Sequence, residues 1–239
     1  MLNTPLRAVV FDAGNTLIFL DFDRLAREVG AATGLSLEGA RIRATAPDAA
    51  RALERKERLT DRERATRYLE LLFLHAGVEE SHLPAVREAL LFMHAERHLW
   101  SGLHDGTASA LERLRALGIP LGVVSNSDGR VVEALAAAGI RDRFDVIIDS
   151  AIVGVEKPDP AIFGHALAAL GILPHEALYV GDIYEVDVVG ARAAGLDVVL
   201  VDPDGRNAGR DVSTYACVAD VVTALEASGR LSAGVAADP

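Results

Sequence analysis

Acidic, hydroxyl and lysine side chains stand at the ends of short apolar segments along this chain. In an open sheet of parallel strands, the carboxyl ends of the strands lie at one edge, where ligands bind. We therefore expect these side chains to surround one crevice. They are Asp12 and Thr16, Ser125 and Asn126, Lys157, and Asp182 with Asp187.

These residue types together favour phosphoryl chemistry. The carboxylates of Asp12 and Asp182 would repel each other in a shared crevice, and a hard divalent cation with oxygen ligands, Mg²⁺, would relieve that repulsion. With Lys157, the ion would neutralise the oxygens of a phosphoryl group, to which the Ser125 hydroxyl can donate. From the ordinary pKa of aspartate, we expect Asp12 to be ionised at neutral pH. It can therefore attack phosphorus in line and form an aspartyl-phosphate.

Strands and helices alternate around these residues. Glycines after the helical segments are typical of helix C-termini, and the alternation predicts an α/β fold with a doubly wound, Rossmann-like parallel sheet. We expect Asp220 to cap a last helix. The predicted strands cover 6–11, 119–124, 144–149, 177–180 and 197–201, and the predicted helices cover 107–117, 129–138, 160–170 and 186–194.

Residues from about 19 to 101 carry helical signals alone. Asp21 predicts the cap of a helix that Gly34 ends, Thr60 and Glu63 match a capping box, and Pro84 opens a further helix. We expect four helices inserted into the α/β core. The predicted domains are a core of 1–18 and 102–228, a helical domain of 19–101 and a flexible tail of 229–239.

Composition limits the classes of protein. The chain has 239 residues, half of them hydrophobic, and a net charge of −11. That charge argues against a general nucleic-acid or anionic-membrane binder, and no apolar run reaches the length of a membrane span. Cys217 is the single cysteine, which we expect to be buried; an internal disulfide is excluded and a cytoplasmic location is favoured. We expect a small-molecule substrate and a monomer or homodimer.

Four segments, in order, resemble one known family. They cover residues 9–17, 123–126, 157–163 and 180–187 and read VVFDAGNTL, VVSN, KPDPAIF and VGDIYEVD. Each is weak alone, but four in order, each after a predicted strand, are specific. The set resembles the haloacid dehalogenase-like (HAD) superfamily, whose members are mostly Mg²⁺-dependent phosphatases. The helical block resembles the helical cap of that family, and the likeness extends over roughly residues 6–225.

The resemblance implies a role for each matching residue. Asp12 would be the nucleophile and a metal ligand, and the carbonyl of Gly14 and the carboxylate of Asp182 would complete the protein ligands of Mg²⁺. The remaining implied roles are substrate positioning and loop bracing for Thr16, binding of the transferring group for Ser125 and Asn126, charge balance between Asp12 and the phosphoryl group for Lys157, and support of Lys157 and metal-bound water for Asp187.

Gly14 departs from the family pattern. Phosphatases of the family usually carry a second aspartate at this position, which protonates the leaving oxygen and then activates water. Such assistance is worth about 10²–10⁴ in rate, so we expect poor turnover of simple alkyl phosphates. Asn15 also stands where the family commonly has glycine, and Ile183 where it has serine or threonine.

The leading interpretation is a hydrolase that takes the phosphoryl group of a small phosphorylated metabolite onto Asp12. One alternative is a metal-independent 2-haloacid dehalogenase, since family dehalogenases also lack the second aspartate. A metal-free site would, however, leave Asp12 and Asp182 uncompensated in a medium of low dielectric. The other alternative is a catalytically weak phosphate-binding pseudoenzyme, because Gly14 replaces the aspartate that acts as acid and base.

Overall fold

The structure is a computed structural model that describes residues 5–54 and 60–231. The described residues belong to two compact units. One lies within Met1–Phe19 and Leu103–Pro239, and the other lies within Leu20–Gly102. The first unit contains every predicted site residue, so the site can be described within it. Residues 232–239 of the predicted flexible tail lie outside the described residues.

Eight strands occur among the described residues: β1 Ala8–Phe11, β2 Ile18–Leu20, β3 Trp100–Leu103, β4 Leu121–Ser125, β5 Val146–Asp149, β6 Ala177–Gly181, β7 Asp197–Val201 and β8 Ser213–Tyr215. Six of them form a parallel sheet in the order β5-β4-β1-β6-β7-β8, and β2 pairs with β3. The four residues of β1 are apolar and all buried, as expected for an inner strand that is covered on both faces. The predicted parallel α/β fold is confirmed.

Among its described residues, the second unit is helical except for the turns between helices, Leu20 of β2 and residues 100–102 of β3. The Asp21 carboxylate accepts a hydrogen bond from the backbone N–H of Arg24 at 2.9 Å, and Gly34 ends the helix at φ 74°, as predicted. Thr60 and Glu63 form the predicted capping box. The helices are α1 Phe22–Thr33, α2 Gly39–Ala44, α3 Ala46–Glu54, α4 Asp61–His75 and α5 Leu83–Glu96.

The part of this block that the structure describes contains five helices, where the sequence predicts four. Pro47 explains the difference, because proline lacks the backbone donor of a helix interior and fits a first turn instead. It lies in the first turn of α3, directly after α2 ends. The unit has its own hydrophobic core, in which Val29, Leu72 and Phe73 are fully buried.

Helices follow the strands of the first unit in the predicted alternation. Phe163 and Ala166 of the helix after the Lys157 loop pack with Val10, Val124 and Tyr179 of the sheet. No described helix has both the length and the apolar character needed to cross a membrane. The helices are α6 Thr107–Ala116, α7 Val131–Ala137, α8 Ser150–Val153, α9 Ala161–Leu170, α10 Val189–Ala193 and α11 Val218–Ser228.

Three details differ from the predictions. The short strands β2, β3 and β8 have no predicted counterpart, because three or four residues carry too little alternation to be recognised. The prediction that Asp220 caps the last helix is wrong: Cys217 holds the cap position with an extended backbone, and Asp220 lies in the first turn. Acidic residues there still favour the helix dipole. Cys217 is half-buried instead of buried.

Candidate active site

The loop after β1 places Asp12 at the carboxyl edge of the sheet. Its backbone N–H donates to the carbonyl oxygen of Val180 at 2.8 Å, which extends the pairing of β1 with β6 by one residue. The N–H groups of Leu17 and Ile18 both donate to the Ala13 carbonyl at 2.9 Å, so the chain reverses at once. Asp12, Gly14 and Thr16 therefore belong to one tight turn.

Asn15 gives this turn its shape. Its φ is +57°, in the left-handed region that favours glycine and, among other residues, asparagine. The backbone N–H of Asn15 donates to the Ile18 carbonyl at 2.8 Å. Asparagine at a position where the family commonly has glycine is therefore compatible with the same backbone.

Lys157 joins three buried groups of the site. Its ammonium nitrogen lies 2.6 Å from Oδ1 of Asp12, 2.8 Å from Oδ1 of Asp187 and 2.8 Å from the Tyr179 hydroxyl. All four side chains are buried. A lysine delivers a compact charge with three donors, and here each donor has an oxygen to bind.

Asn126 fixes the backbone of Lys157. Its Oδ1 accepts from the Lys157 N–H at 2.7 Å, and its Nδ2 donates to the Lys157 carbonyl at 3.0 Å. These two bonds connect the end of β4 to the loop that carries the lysine. The sequence predicts substrate binding by Asn126; the described geometry gives it the additional task of holding Lys157 in place.

Asp187 is held by the backbone that follows β6. Its Oδ2 accepts from the N–H groups of Asp182 and Ile183 at 3.0 and 2.9 Å. The predicted helix 186–194 is in fact a π-helical turn, Tyr184–Val188, followed by α10. The wider turn directs Asp187 back toward the strand. A Cβ on Gly181 would come within 2.4 Å of the Asp187 carboxyl carbon, so this approach requires glycine.

Tyr179 is a site residue that the sequence analysis missed. Tyr179 belongs to β6, but its hydroxyl donates a hydrogen bond to the carbonyl of Val124 on β4 at 3.0 Å. The same hydroxyl lies 3.2 Å from Oδ1 of Asp187. The Tyr179 ring is fully buried, and its edge-to-face partner is Phe163 at 4.9 Å between ring centroids. A tyrosine two residues before the strand ends was the available signal, because its hydroxyl needs a buried partner.

Burial dominates the electrostatics of the acids. It raises the pKa of Asp12 to about 7, although the Lys157 charge opposes the shift and the Asp187 charge adds to it. Burial raises the pKa of Asp182 well above its ordinary value, and the charges of Asp187 and Asp12 raise it further. Each of these two carboxyl groups is therefore short of positive charge when ionised.

Lys157 remains a cation in this environment. Burial acts to lower the pKa of its ammonium group, but the carboxylates of Asp12 and Asp187 outweigh burial and the pKa is well above its usual value. Burial and the Asp187 charge raise the pKa of the Tyr179 hydroxyl, which therefore stays protonated. Lys157 supplies one positive charge to three acids, Asp12, Asp182 and Asp187, so ionisation of all three requires further positive charge.

Arg206 is the second residue that the sequence analysis missed. Its Nη2 lies 3.8 Å from Oδ2 of Asp182, and its side chain is 11% exposed. It follows β7, which coincides with the predicted strand 197–201, so its place after the carboxyl end of that strand could have identified it. The charge of Arg206 lowers the pKa of Asp182 but does not cancel the effect of burial.

Two hydroxyl groups point to a ligand. Oγ1 of Thr16 is buried and has no hydrogen-bond partner among the described residues. The Ser125 hydroxyl is also buried, and its described contact is to the Asn126 carbonyl at 3.5 Å, too long for a strong bond. Buried polar groups are normally paired, so both hydroxyls suit oxygens that arrive with a substrate.

A doubly wound sheet with a buried Asp–Lys–Asp cluster at its carboxyl edge, where open α/β sheets bind ligands, is typical of an α/β enzyme. The haloacid dehalogenase-like hydrolase model matches residues 6–195, and the chain belongs to that family. The match includes each of the site residues described above except Arg206.

Curated relatives match part of the chain. Haloacid dehalogenase-like hydrolase domain-containing protein 3 of Bos taurus is 36% identical over 130 residues, which are 54% of this chain and 51% of that protein. The phosphoglycolate phosphatase of Nitrosospira multiformis is 38% identical over 52% of this chain and 55% of its own length. The phosphoserine phosphatase of Thermus thermophilus is 39% identical over 42% and 41%. The chain thus spans about half the length of the curated relatives it matches.

Solved structures share the fold over most of the chain. A HAD phosphatase from Thermococcus onnurineus has a TM-score of 0.58 at 22% identity and covers 92% of this chain and 98% of its own. A 2-haloacid dehalogenase from Pseudomonas syringae pv. Tomato has a TM-score of 0.56 at 22% identity, with 93% and 99% covered. The two structures bear different activities on one fold, so the fold by itself does not select between them.

Proposed function

We propose that this chain is a Mg²⁺-dependent phosphohydrolase that transfers the phosphoryl group of a small phosphorylated metabolite to Asp12. The observation that carries the proposal is the buried contact of Asp12 with Lys157 beside Asp182, in a cluster with more acids than cations. Relatives that are named as phosphatases support the same class of reaction.

The donor set suits a hard divalent cation. Burial raises the pKa of both Asp12 and Asp182, and the Asp12 charge raises that of Asp182 further, so both carboxylates need positive charge; oxygen ligands are those that Mg²⁺ prefers. These two carboxylates and the carbonyl of Gly14 would hold the ion. When bound, Mg²⁺ supplies positive charge to the oxygens of the transferring phosphoryl group.

In the first step, a carboxylate oxygen of Asp12 attacks phosphorus. The new oxygen–phosphorus bond forms as the bond to the leaving oxygen breaks, and that oxygen takes a proton from water, leaving a hydroxide that the proton released in the second step neutralises. In the second step, water attacks phosphorus, the bond to Asp12 breaks, and inorganic phosphate and a proton are released. Lys157 stays protonated throughout and offsets the negative charge near Asp12, while Thr16 and Ser125 donate hydrogen bonds to phosphoryl oxygens.

A panel of phosphate esters and 2-haloacids, each with and without EDTA, tests the proposal. We expect phosphate release that EDTA abolishes and that added Mg²⁺ restores, with aryl or acyl phosphates faster than alkyl phosphates because Gly14 offers no proton to the leaving group. Asp12→Asn is the control and should have no activity. Phosphate release that persists in Asp12→Asn or in EDTA would contradict the proposal.

Metal-independent dehalogenation is the second candidate. Arg206 favours it, because its guanidinium gives Asp182 some compensation without a metal. Halide release from a 2-haloacid in EDTA would support this candidate and contradict the first. Phosphate binding with no turnover on the whole panel would instead identify the pseudoenzyme.

Three further expectations stay predictions. Residues 19–101 are predicted to act as a cap that excludes water and large substrates. The chain is predicted to be a monomer or homodimer and to be cytoplasmic. Limited proteolysis, sedimentation and cell fractionation, respectively, address them.

A further inference from the structure

Arg206 is a nearly buried cation beside one of the two acids assigned above to the metal. Its Nη2 lies 3.8 Å from Oδ2 of Asp182, and its Nε lies 3.8 Å from Oδ1 of Asp202. A charged side chain that is 11% exposed loses most of its hydration, so its position next to Asp182 requires an explanation.

The loop after β7 holds Arg206 in place through its main chain. Oδ1 of Asp202 accepts from the backbone N–H of Arg206 at 2.9 Å, and Oδ2 of Asp202 accepts from the N–H of Asn207 at 2.7 Å. The Asp202 side chain is fully buried. Because the anchor is the backbone of residue 206, a change of its side chain leaves the loop attached.

The neighbouring strand brings this loop to the site. β7 pairs with β6, and Leu200 lies opposite Gly181 in the register. Asp182 follows β6 by one residue, and Asp202 follows β7 by one residue. The two loops therefore leave the sheet side by side, and a side chain from the second can reach the acid of the first.

The cations of the site are divided between the acids. The Lys157 ammonium contacts Asp12 and Asp187 at 2.6 and 2.8 Å, whereas the Arg206 guanidinium faces Asp182. The Arg206 charge is fixed there before any metal binds. A dication that approaches Asp182 meets this charge a few ångströms away, in a buried region where salt screens it weakly.

We propose that Arg206 is a positioning residue that weakens divalent-cation binding at Asp182. Two effects of its charge both lower the affinity for the metal. The guanidinium satisfies part of the charge demand of Asp182, which reduces what a metal gains by binding, and it repels the bound metal directly. The proposal rests on the proposed function, since it assumes that Asp182 is a metal ligand.

Isothermal titration of Mg²⁺ into the purified, EDTA-treated chain measures this effect without any substrate. Arg206→Gln and Arg206→Met each remove the charge and keep part of the side-chain volume. If one variant does not fold, the other still measures how the charge affects the Mg²⁺ affinity. We expect both to bind Mg²⁺ at least about tenfold more tightly than the parent.

Two matched variants separate charge from structure. Arg206→Lys keeps a cation and should stay within about threefold of the parent affinity. Arg210→Gln removes an arginine from the same segment, one that pairs with Glu185 at 2.8 Å, and should leave the Mg²⁺ affinity unchanged. A structural role for Arg206 would predict weaker binding in the neutral variants.

The outcomes distinguish this inference from the function on which it rests. If the parent and every variant fail to bind Mg²⁺, the proposed function fails and the inference with it. If the parent binds Mg²⁺ but the neutral variants bind equally or more weakly, the inference alone is overturned. Tighter binding in Arg206→Gln or Arg206→Met, with Arg206→Lys near the parent, supports it.

Discussion

At the scale of single residues, Lys157 converts separate acids into one site. It is one of two lysines in the sequence, beside Lys56. Its three oxygen partners come from β6, from the turn after β6 and from the loop after β1. A planar guanidinium could not bind three oxygens arranged around one point in the same way, which explains a lysine in a chain that otherwise uses arginine.

Tyr179→Phe tests the support of Lys157. The variant removes a hydroxyl that binds the ammonium and the Val124 carbonyl, and leaves both buried with one partner fewer. We expect the free energy of unfolding to fall by about 1–3 kcal/mol, measured by urea denaturation. Tyr184→Phe, which removes an exposed hydroxyl bonded to Asp211, is the control and should change stability by less than about 0.5 kcal/mol. Equal effects in the two variants would contradict this role for Tyr179.

Gly14→Asp tests the missing acid–base group. If Gly14 limits hydrolysis, the parent should accumulate aspartyl-phosphate and give a burst of leaving group with an aryl phosphate and Mg²⁺. The variant restores a carboxyl group and should raise steady-state turnover, by up to about 10²-fold. Burst and steady-state rates are read from stopped-flow absorbance. A parent that is already fast on alkyl phosphates, with no gain in the variant, would show that another group supplies the proton.

At the scale of elements, strand ends and the turns that follow them decide the geometry. Gly181 ends β6, and the π-helical turn Tyr184–Val188 brings Asp187 back so close to that glycine that a Cβ there would clash with it. The N–H groups of Asp182 and Ile183 then bind the Asp187 carboxylate. One turn thus positions both acids that follow β6.

Gly181→Ala tests this turn. The new methyl group would lie 2.4 Å from the Asp187 carboxyl carbon, so Asp187 must move and Lys157 loses a partner. We expect a loss of about 1–3 kcal/mol in unfolding free energy, together with a fall in activity. Gly164→Ala within α9 is the control, since its Cβ meets nothing within 4 Å and the change should stabilise the helix by about 1 kcal/mol. Thermal melts of both variants give the comparison; an unaffected Gly181→Ala would be evidence against a fixed Asp187.

At the scale of the whole molecule, burial of acids links stability to pH and metal. The pKa of Asp12 is about 7 in the folded chain against an ordinary 3.8, and that of Asp182 is also raised. A raised carboxyl pKa means that the folded state binds the proton more tightly than the unfolded state does. The stability that this proton contributes is fully present below the pKa of the unfolded state, and it is lost as the pH rises through the pKa of the folded state. The affected window runs from about pH 4 to pH 7.

Because of Asp12 and Asp182, thermal melts in EDTA should show a lower stability near pH 7 than near pH 5. Added Mg²⁺ favours the ionised carboxylates, so its stabilising shift should be larger at about pH 8 than at about pH 5. Asp182→Asn removes one of these ionisations and should reduce both the pH dependence and the Mg²⁺ shift. A Mg²⁺ shift that is independent of pH would contradict the assignment.

The sequence by itself determined the parallel α/β fold, the helical character of the inserted block and the residues at the strand ends. These follow from local causes: apolar runs make buried strands, glycine ends helices, and Asp21 and Thr60 cap them. The order of the acid-bearing segments and the lysine between them was likewise visible before folding.

Tertiary structure alone decided which of these groups touch. The hydroxyl of Tyr179 reaches across β1 to β4, and the guanidinium of Arg206 reaches from the loop after β7 to Asp182. No local pattern specifies such contacts, because they depend on strand order and register over many residues of separation. The extent of burial, which sets the pKa values and the demand for a cation, is decided in the same way.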